Sequence, residues 1–337
     1  MHEESLEAYL NLINALLSFP ISESMTILNA CPELIDAGLV ETMLNVAGDL
    51  TVLGNLDAAK FLMDVAGQLI GVYGKPSIQG FSSSTPNPQL TLLIQALLAT
   101  AESDSERQPE KVYSLLKENL NQLDDNLAGL LREWATPILS EASPDIAVGI
   151  ATKIGIFSNL IANFALGSRA NNLEITIAGY EVIATVFTRE RFPERWAHLQ
   201  NNLGVAYQER IRGNRAENLE LALAQYQYAL NVLTREGFRD QWAGIKINLG
   251  MAYLDKFRNA YLNRMDGDMS ENLQLAIAAF EDALSVFTHE EFPEEWAKVK
   301  TNLGNAYLYG KQLSQAIACY RSALKVYQPS ALQFAHF

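Results

Sequence analysis

The second half of the chain repeats a helical pattern of apolar positions three times. Each copy opens with Trp-Ala and continues, after four residues, as Asn-Leu-Gly-x-Ala-Tyr. The copies start at Trp196, Trp242 and Trp296. A second stripe follows each copy, with apolar residues at offsets 0, 3, 4, 7, 10 and 11. These stripes begin at Leu219, Leu273 and Leu313. Such offsets share one face of an α-helix, so the pattern predicts three pairs of helices.

A single pair of this kind cannot bury its own apolar stripe, so neighbouring pairs must cover it. The sequence therefore predicts a solenoid of stacked helix-turn-helix units. Glycine inside a helix costs about 1 kcal/mol relative to alanine, so glycines kept in register predict a close approach of the paired helices. We expect these glycines to face small residues of the second helix, with tyrosines filling the adjoining space. The three sets are Gly204, Gly250 and Gly304; Ala222, Ala276 and Ala316; and Tyr207, Tyr253 and Tyr307.

Residues typical of helix starts agree with this register. Pro193 and Pro293 suit the first turn of the Trp-bearing helices, where a missing N–H does no harm. Capping residues for the second helix of each pair are predicted five residues before its leading leucine, at Ser168, Asn214 and Asp268. Asn214 and Asp268 have Glu217 and Glu271 three residues later, which is a capping-box arrangement.

The order of small and large positions, Leu-Gly-x-x-Tyr followed by Ala-x3-Tyr/Phe-x2-Ala, resembles tetratricopeptide repeats. The spacing from Gly to Ala is 12 residues in the last copy, as is usual for that family, but 18 in the first and 26 in the middle copy. A degenerate earlier copy can be placed at Asn159–Phe164 and Leu173–Ile183. The resemblance implies a right-handed superhelix of about four repeats, the first of them degenerate.

Two phrases, Cys31–Val40 and Ala178–Glu190, are similar to the amino-terminal region of cyanobacterial repeat proteins. In many such proteins a caspase-like CHAT domain follows the repeats. The sequence shows no such domain, so its protease chemistry is not carried over. The resemblance still implies an alternative role, as the regulatory or sensor portion of a CHAT protease system, in cis or in trans.

The first half of the chain also has a helical rhythm and little alternation of β-branched residues. Asn11–Leu17 resembles Leu92–Leu98, which suggests a duplicated helical module. The stretch between them is rich in Pro and Ser and is typical of a flexible connection. We predict helical modules at 1–75 and 90–149, a flexible linker at 76–89, and repeats at 150–337. The expected fold class is all-α: a tetratricopeptide-like repeat solenoid preceded by an irregular helical module.

Composition narrows the range of functions. The chain has 337 residues and a net charge of −14, which argues against a broad nucleic-acid-binding face. Two cysteines cannot form a disulfide framework or a cysteine metal site, and the first residues are acidic, so we expect a cytoplasmic protein. Continuous apolar runs fall short of the roughly 20 residues of a membrane span. Glycine-rich phosphate loops are absent and the four histidines are scattered, so we predict no enzyme activity, no cofactor and no metal.

The surface expected to bind a partner is the first helix of each pair, because that helix lines a concave groove in repeats of the family resembled. The resemblance maps the groove onto these positions: Asn201, Asn202, Val205, Asn248, Met251, Lys298, Asn302 and Asn305. An asparagine offers a donor and an acceptor together, so a column of them can pair with the backbone of an extended peptide. The alternative is that these asparagines brace neighbouring helices.

We therefore expect a non-enzymatic scaffold that binds a partner protein or peptide on the concave face. A clamp for a peptide carboxylate is not expected, because Asn201, Ile247 and Thr301 stand where such family members carry Lys or Arg. The end of the last repeat is a candidate surface for a homodimer. Arg210, Arg212 and Arg215 form a small basic cluster that either meets an acidic partner or balances the acidic first half.

Overall fold

The computed structural model describes residues 3–18, 24–35, 110–263 and 269–327, with single positions between residues 39 and 97. All regular structure in these residues is helical. The chain divides into two compact units, Met1–Ser168 and Arg169–Phe337. The boundary between them falls after Ser168, whereas position 150, where we placed the start of the repeats, lies inside a helix. Residues 76–88 of the predicted linker lie outside the described residues.

The first unit contains five described α-helices and two short 3-10 turns. They are α1 (Glu3–Ser18), α2 (Ser24–Asn29), a 3-10 turn (Pro32–Leu34), α3 (Glu110–Glu118), a 3-10 turn (Leu120–Gln122), α4 (Asp125–Glu141) and α5 (Pro144–Asn163). Helix α1 buries Tyr9, Leu12, Ile13 and Leu16 in a core that also holds Leu28 of α2. These four positions follow helical spacing, so one face of α1 supplies the core.

Helix α4 begins at a side-chain cap. The Asp124 carboxylate accepts hydrogen bonds from the backbone N–H groups of Asn126 and Leu127, at 2.9 and 3.3 Å. The side chain of Gln89 also donates to it, at 2.6 Å. Asp124 therefore satisfies two of the free N–H groups of the helix start.

By length and composition, α5 is the one described helix that could cross a membrane. Counting continuous apolar runs missed it, because Asp145, Thr152 and Lys153 interrupt its apolar residues. A core helix of a water-soluble unit meets the same criteria, and 33% of the apolar window of α5 is buried. Burial lowers the pKa of the Lys153 ammonium.

The second unit consists of seven described helices packed in chain order. They are α6 (Arg169–Ile183), α7 (Pro193–Glu209), α8 (Arg215–Leu230), α9 (Arg239–Leu262), α10 (Met269–Leu284), α11 (Pro293–Tyr309) and α12 (Leu313–Tyr327). Three helix pairs form the main contacts: α7 with α8, α9 with α10, and α11 with α12. The pairs are joined into a row by contacts between α6 and α7, between α8 and α9, and between α10 and α11. The protein is an all-α helical repeat protein, and its second unit is a repeat solenoid.

Three helix starts of this unit agree with the sequence prediction. Pro193 and Pro293 are the first residues of α7 and α11. The Asn214 side chain caps α8 by accepting from the backbone N–H of Ala216 and Glu217, at 2.8 and 3.3 Å. The predicted cap Asp268 lies outside the described residues.

The prediction for the glycines was wrong about which side chain covers them. A Cβ built on Gly204 would lie 2.5 Å from the Tyr226 ring, and one on Gly250 would lie 2.7 Å from the Phe280 ring. The same contact with Tyr320 is 2.6 Å at Gly304. The aromatic ring of the second helix therefore lies directly on the glycine of the first, in the space that we assigned to alanines and tyrosines. Only glycine leaves enough room there for a ring.

The connectors that lead into α7, α9 and α11 differ by at most one residue in length and share one backbone hydrogen bond. In each, the backbone N–H of a phenylalanine donates to the carbonyl of a threonine four residues earlier, at 2.8 to 2.9 Å. These bonds are Phe192 to Thr188, Phe238 to Thr234 and Phe292 to Thr288. The residue after each threonine contacts the tryptophan ring of the next helix. The connectors thus start α7, α9 and α11 in the same way.

The extra residues in the middle turn of the second repeat mainly lengthen one helix. Helix α9 has 24 residues, whereas α7 and α11 have 17 each. Its added turns carry Phe257 and Tyr261, whose rings stack with centroids 6.2 Å apart. Phe257 also contacts Tyr309 at the end of α11, at 5.7 Å.

Candidate functional site

The first helices of all three pairs line a groove of about 400 Å³. Its lining residues are His198 and Asn201 of α7; Gln241, Gly244, Ile245, Ile247 and Asn248 of α9; Phe287 of the third connector; and Glu295 of α11. The lining uses the third residue of α11, the sixth and ninth residues of α7, and positions between the third and the tenth residue of α9. The lining combines three side-chain amides with two isoleucines and a phenylalanine.

A hydrogen bond between two asparagines crosses the groove wall from α9 to α7. The Asn248 side-chain N–H donates to Asn201 Oδ1 at 3.0 Å. Asn201 in turn lies 3.5 Å from Asn202 Oδ1. These hydrogen bonds support the alternative that the asparagines brace neighbouring helices. They use only part of the hydrogen-bonding capacity of each amide. An amide side chain has two donor hydrogens and two acceptor lone pairs, so both residues keep capacity on the groove side.

The asparagines at matching positions of the three first helices, Asn202, Asn248 and Asn302, have different surroundings. Asn202 shares a side-chain hydrogen bond with Tyr180 of α6, and burial raises the pKa of that tyrosine. Asn302 occupies the matching place on α11 and is half-buried. In the repeat register Ile247 of α9 stands where Asn201 stands on α7, and an isoleucine side chain cannot form the asparagine-to-asparagine bond with Asn302.

The remaining sequence-predicted positions differ in their surroundings. Val205 is half-buried, and Met251 and Lys298 are exposed. Asn305 accepts a hydrogen bond from the Tyr320 hydroxyl at 2.8 Å, which ties it to its own helix pair. Of the eight predicted positions, the structure brings only Asn201 and Asn248 into the lining of the groove.

The sequence analysis did not predict the lining residues that lie about one helical turn before the asparagines of the first helices. His198 and Gly244 stand four residues before Asn202 and Asn248, so the helical period alone places them on the same side. Glu295 has no such signal, because it enters the groove from the first turn of α11. At Gly244 a Cβ would meet nothing within 4 Å, so this glycine leaves open space in the groove wall.

Ion pairs join the helices around the groove. Lys246 lies 2.8 Å from Asp282, and Arg239 lies 3.0 Å from Glu291. Glu295 lines the groove and, within the residues described, has neither an ion pair nor a side-chain hydrogen bond. The groove therefore holds one carboxylate that the rest of the described solenoid does not neutralise.

The three arginines of the basic cluster, Arg210, Arg212 and Arg215, bind side chains of the second unit itself. The Arg210 guanidinium binds both carboxylate oxygens of Glu174 on α6, at 2.7 and 2.8 Å, which raises the pKa of the arginine. Arg212 donates to Asn171 at 2.7 Å, and Arg215 lies 3.2 Å from Asp255. These arginines thus join neighbouring helices of the solenoid.

A second cavity, of about 470 Å³, lies between α10, α11 and α12. Cys319 lines it, and burial raises the pKa of its thiol, which disfavours the reactive thiolate. The His289 ring contacts Trp296 at 4.9 Å. No cluster of three or more His, Cys, Asp or Glu side chains suitable for a metal occurs in the described part of the chain.

Solved structures include matches to this chain. No family model matches the chain, and no curated protein matches it. The crystal structure of BtubC (BKLC) from P. vanneervenii is 19% identical to this chain, with a TM-score of 0.44. The match covers 88% of this chain and 93% of that one. A likeness at this level carries no functional argument.

Proposed function

We propose that the repeats are of the tetratricopeptide class and that the protein is a non-enzymatic scaffold. In this proposal a partner protein or peptide binds in the groove of α7, α9 and α11, on the concave face of the superhelix. The observation that supports it is the groove itself, because successive first helices contribute to one continuous lining. A surface shared by several repeats is the kind of surface that solenoids use for binding.

The chemistry of the lining favours an extended peptide over a small metabolite. Gln241, Asn201 and Asn248 offer amide donors and acceptors that match the backbone of an extended segment. Ile247 and Phe287 provide apolar contacts for its side chains. A volume of about 400 Å³ accommodates only a few side chains, so we expect recognition of a short segment.

The test is a substitution that fills the groove without disturbing the fold. Gly244→Gln places a side chain into open space, and replacing a helical glycine should leave the free energy of unfolding unchanged or raise it by up to about 1 kcal/mol. Short random peptides displayed on phage are selected against the full chain. We expect the selected peptides to bind the wild-type protein and to lose at least about tenfold in affinity for Gly244→Gln.

The matched control is Gly129→Gln on α4, in the first unit. A Cβ at Gly129 also meets nothing within 4 Å, so the same substitution changes helix propensity without entering the groove. The selected peptides should bind this variant as they bind the wild type. If the Gly244 variant keeps full affinity for every selected peptide, the groove is not the binding surface and the proposal fails.

The alternative role with a CHAT protease stays a prediction, because no described contact favours it. The cytoplasmic location and a homodimer through the last repeat stay predictions for the same reason.

A further inference from the structure

The groove is electrostatically unbalanced at its α11 end. Among its nine lining residues Glu295 is the one acidic side chain, and it is partly buried. Other carboxylates of the second unit that lie between helices have partners: Glu174 binds Arg210, Glu181 accepts from Tyr207, and Asp282 binds Lys246. Glu295 has no such partner within the described residues.

A partly buried carboxylate without a partner gives up hydration and gains no hydrogen bond in return. A cationic group that enters the groove restores that loss with a charge-assisted hydrogen bond, which is stronger than a bond between neutral groups. The unpaired Glu295 carboxylate is therefore the point of the lining with the most to gain from a ligand cation.

The charges next to Glu295 act in the same direction. The segment 288–298, at the end of the third connector and the start of α11, has four glutamates and one lysine, and of the glutamates Glu291 pairs with Arg239. The matching segment 188–198 at α7 has three arginines and two glutamates. The α11 end is thus the negative end of the groove, and it favours a positively charged ligand group.

We propose that the groove selects extended peptide segments that carry a lysine or arginine, and that Glu295 binds the cationic group of this residue. The amides of Asn201, Gln241 and Asn248 would contact the peptide backbone beside it. This inference rests on the proposed function and adds the class of peptide that the groove accepts. It also gives an orientation, because the basic residue must lie at the α11 end.

The experiment uses the phage-selected peptides whose binding is lost in Gly244→Gln. They are synthesised with a fluorescent label, and their affinities for the full chain are measured by fluorescence anisotropy. We expect a lysine or arginine at a fixed position in these peptides. Glu295→Gln keeps the shape of the side chain and removes its charge, and it should weaken binding by about tenfold or more. The loss should shrink as salt is added.

The matched control is Glu294→Gln, which removes the same charge from an exposed neighbour outside the groove lining. It should change affinity by less than about twofold, as is usual for a screened surface charge. Replacing the basic residue of the peptide by glutamine should weaken binding to the wild type by about tenfold. The same peptide change should lower the affinity for the Glu295→Gln variant only slightly further, because that variant no longer has the partner charge.

The outcomes separate this inference from the proposed function. Groove-dependent peptides without a basic residue, or equal binding to the wild type and Glu295→Gln, would overturn the inference and leave the peptide groove intact. Equal losses in Glu294→Gln and Glu295→Gln would show a general field effect and overturn the role of Glu295. If no selected peptide depends on Gly244, both the proposed function and this inference fail.

Discussion

The inner and last repeats of the solenoid share one sequence pattern but differ in burial. The leading leucine of the second helix is 0% exposed at Leu219 and 9% exposed at Leu273, but 59% exposed at Leu313. Helices α9 and α11 pack on α8 and α10, respectively, and cover their stripes. Ile317 and Leu324 of α12 are exposed as well. The apolar stripe is therefore helical in every copy, but its large leading leucine is buried only where a further helix packs on it.

The contact within each pair, in contrast, is the same in all copies. An aromatic ring lies on a glycine in the first, second and last pair, and a Cβ built on that glycine would lie 2.5 to 2.7 Å from the ring. Tyr226 and Phe280 are fully buried, while Tyr320 is half-buried. The stability of a repeat thus has two parts, one internal to the pair and one supplied by its neighbour, as expected for solenoids.

The largest effect should come from truncating the leading leucine in an inner and in the last repeat. Leu219→Ala leaves a cavity between helices and should lower the free energy of unfolding by about 2–5 kcal/mol. Leu313→Ala removes a side chain that is mostly in water and should change it by less than about 0.5 kcal/mol. Urea unfolding followed by far-UV circular dichroism measures both. Equal losses would show that the face of α12 is covered in solution.

A smaller effect should follow from adding a methyl group to the glycine under the ring. In Gly250→Ala the new Cβ would lie 2.7 Å from the fully buried Phe280 ring, so overpacking should cost about 1–3 kcal/mol. In Gly304→Ala the half-buried Tyr320 ring can move toward solvent, and the gain in helix propensity of about 1 kcal/mol offsets much of the strain. Thermal unfolding of the two variants compares them. A larger loss at Gly304 would contradict this account.

The smallest effect concerns the buried tyrosine hydroxyl and its dependence on pH. Burial raises the pKa of Tyr226, so the folded state favours the neutral phenol. This contribution to stability is complete below the unfolded-state pKa of about 10 and is lost as the pH rises above it. Tyr226→Phe should remove part of that alkaline loss. At neutral pH it should cost about 1 kcal/mol, because the Tyr226 hydroxyl no longer donates to Gln208 Oε1.

The control for this change lies in the last pair. Burial also raises the pKa of Tyr320, but this ring is partly exposed, so Tyr320→Phe should alter the alkaline dependence less. Urea unfolding across neutral to alkaline pH gives both slopes. A larger change of slope for Tyr320→Phe than for Tyr226→Phe would contradict the assignment of the effect to burial.

Local patterns predicted the elements of this unit well. The period of apolar residues indicated the helices, and Pro193, Pro293 and Asn214 marked three of their starts, because helix formation and capping depend on residues a few positions apart. The ring contact at Gly250 was missed, since alanine and phenylalanine stand on the same helix and sequence spacing does not tell which of them meets the glycine.

The candidate groove was only partly predictable. Asn201 and Asn248 were predicted from the resemblance to tetratricopeptide repeats, but Gln241 and Glu295 were not predicted. A helix pattern tells which side of one helix a residue lies on. It does not tell which turns of three different helices enclose the same space.

The sequence alone determined that the second half forms paired helices in register, because helix formation and amphipathic faces are encoded within a few turns of chain. Tertiary structure decided what those faces meet: rings on glycines, arginines on carboxylates of neighbouring helices, and a groove with one unpaired glutamate. These outcomes depend on contacts between residues far apart in sequence. Distance and orientation across helices determine such contacts, and no local pattern contains them.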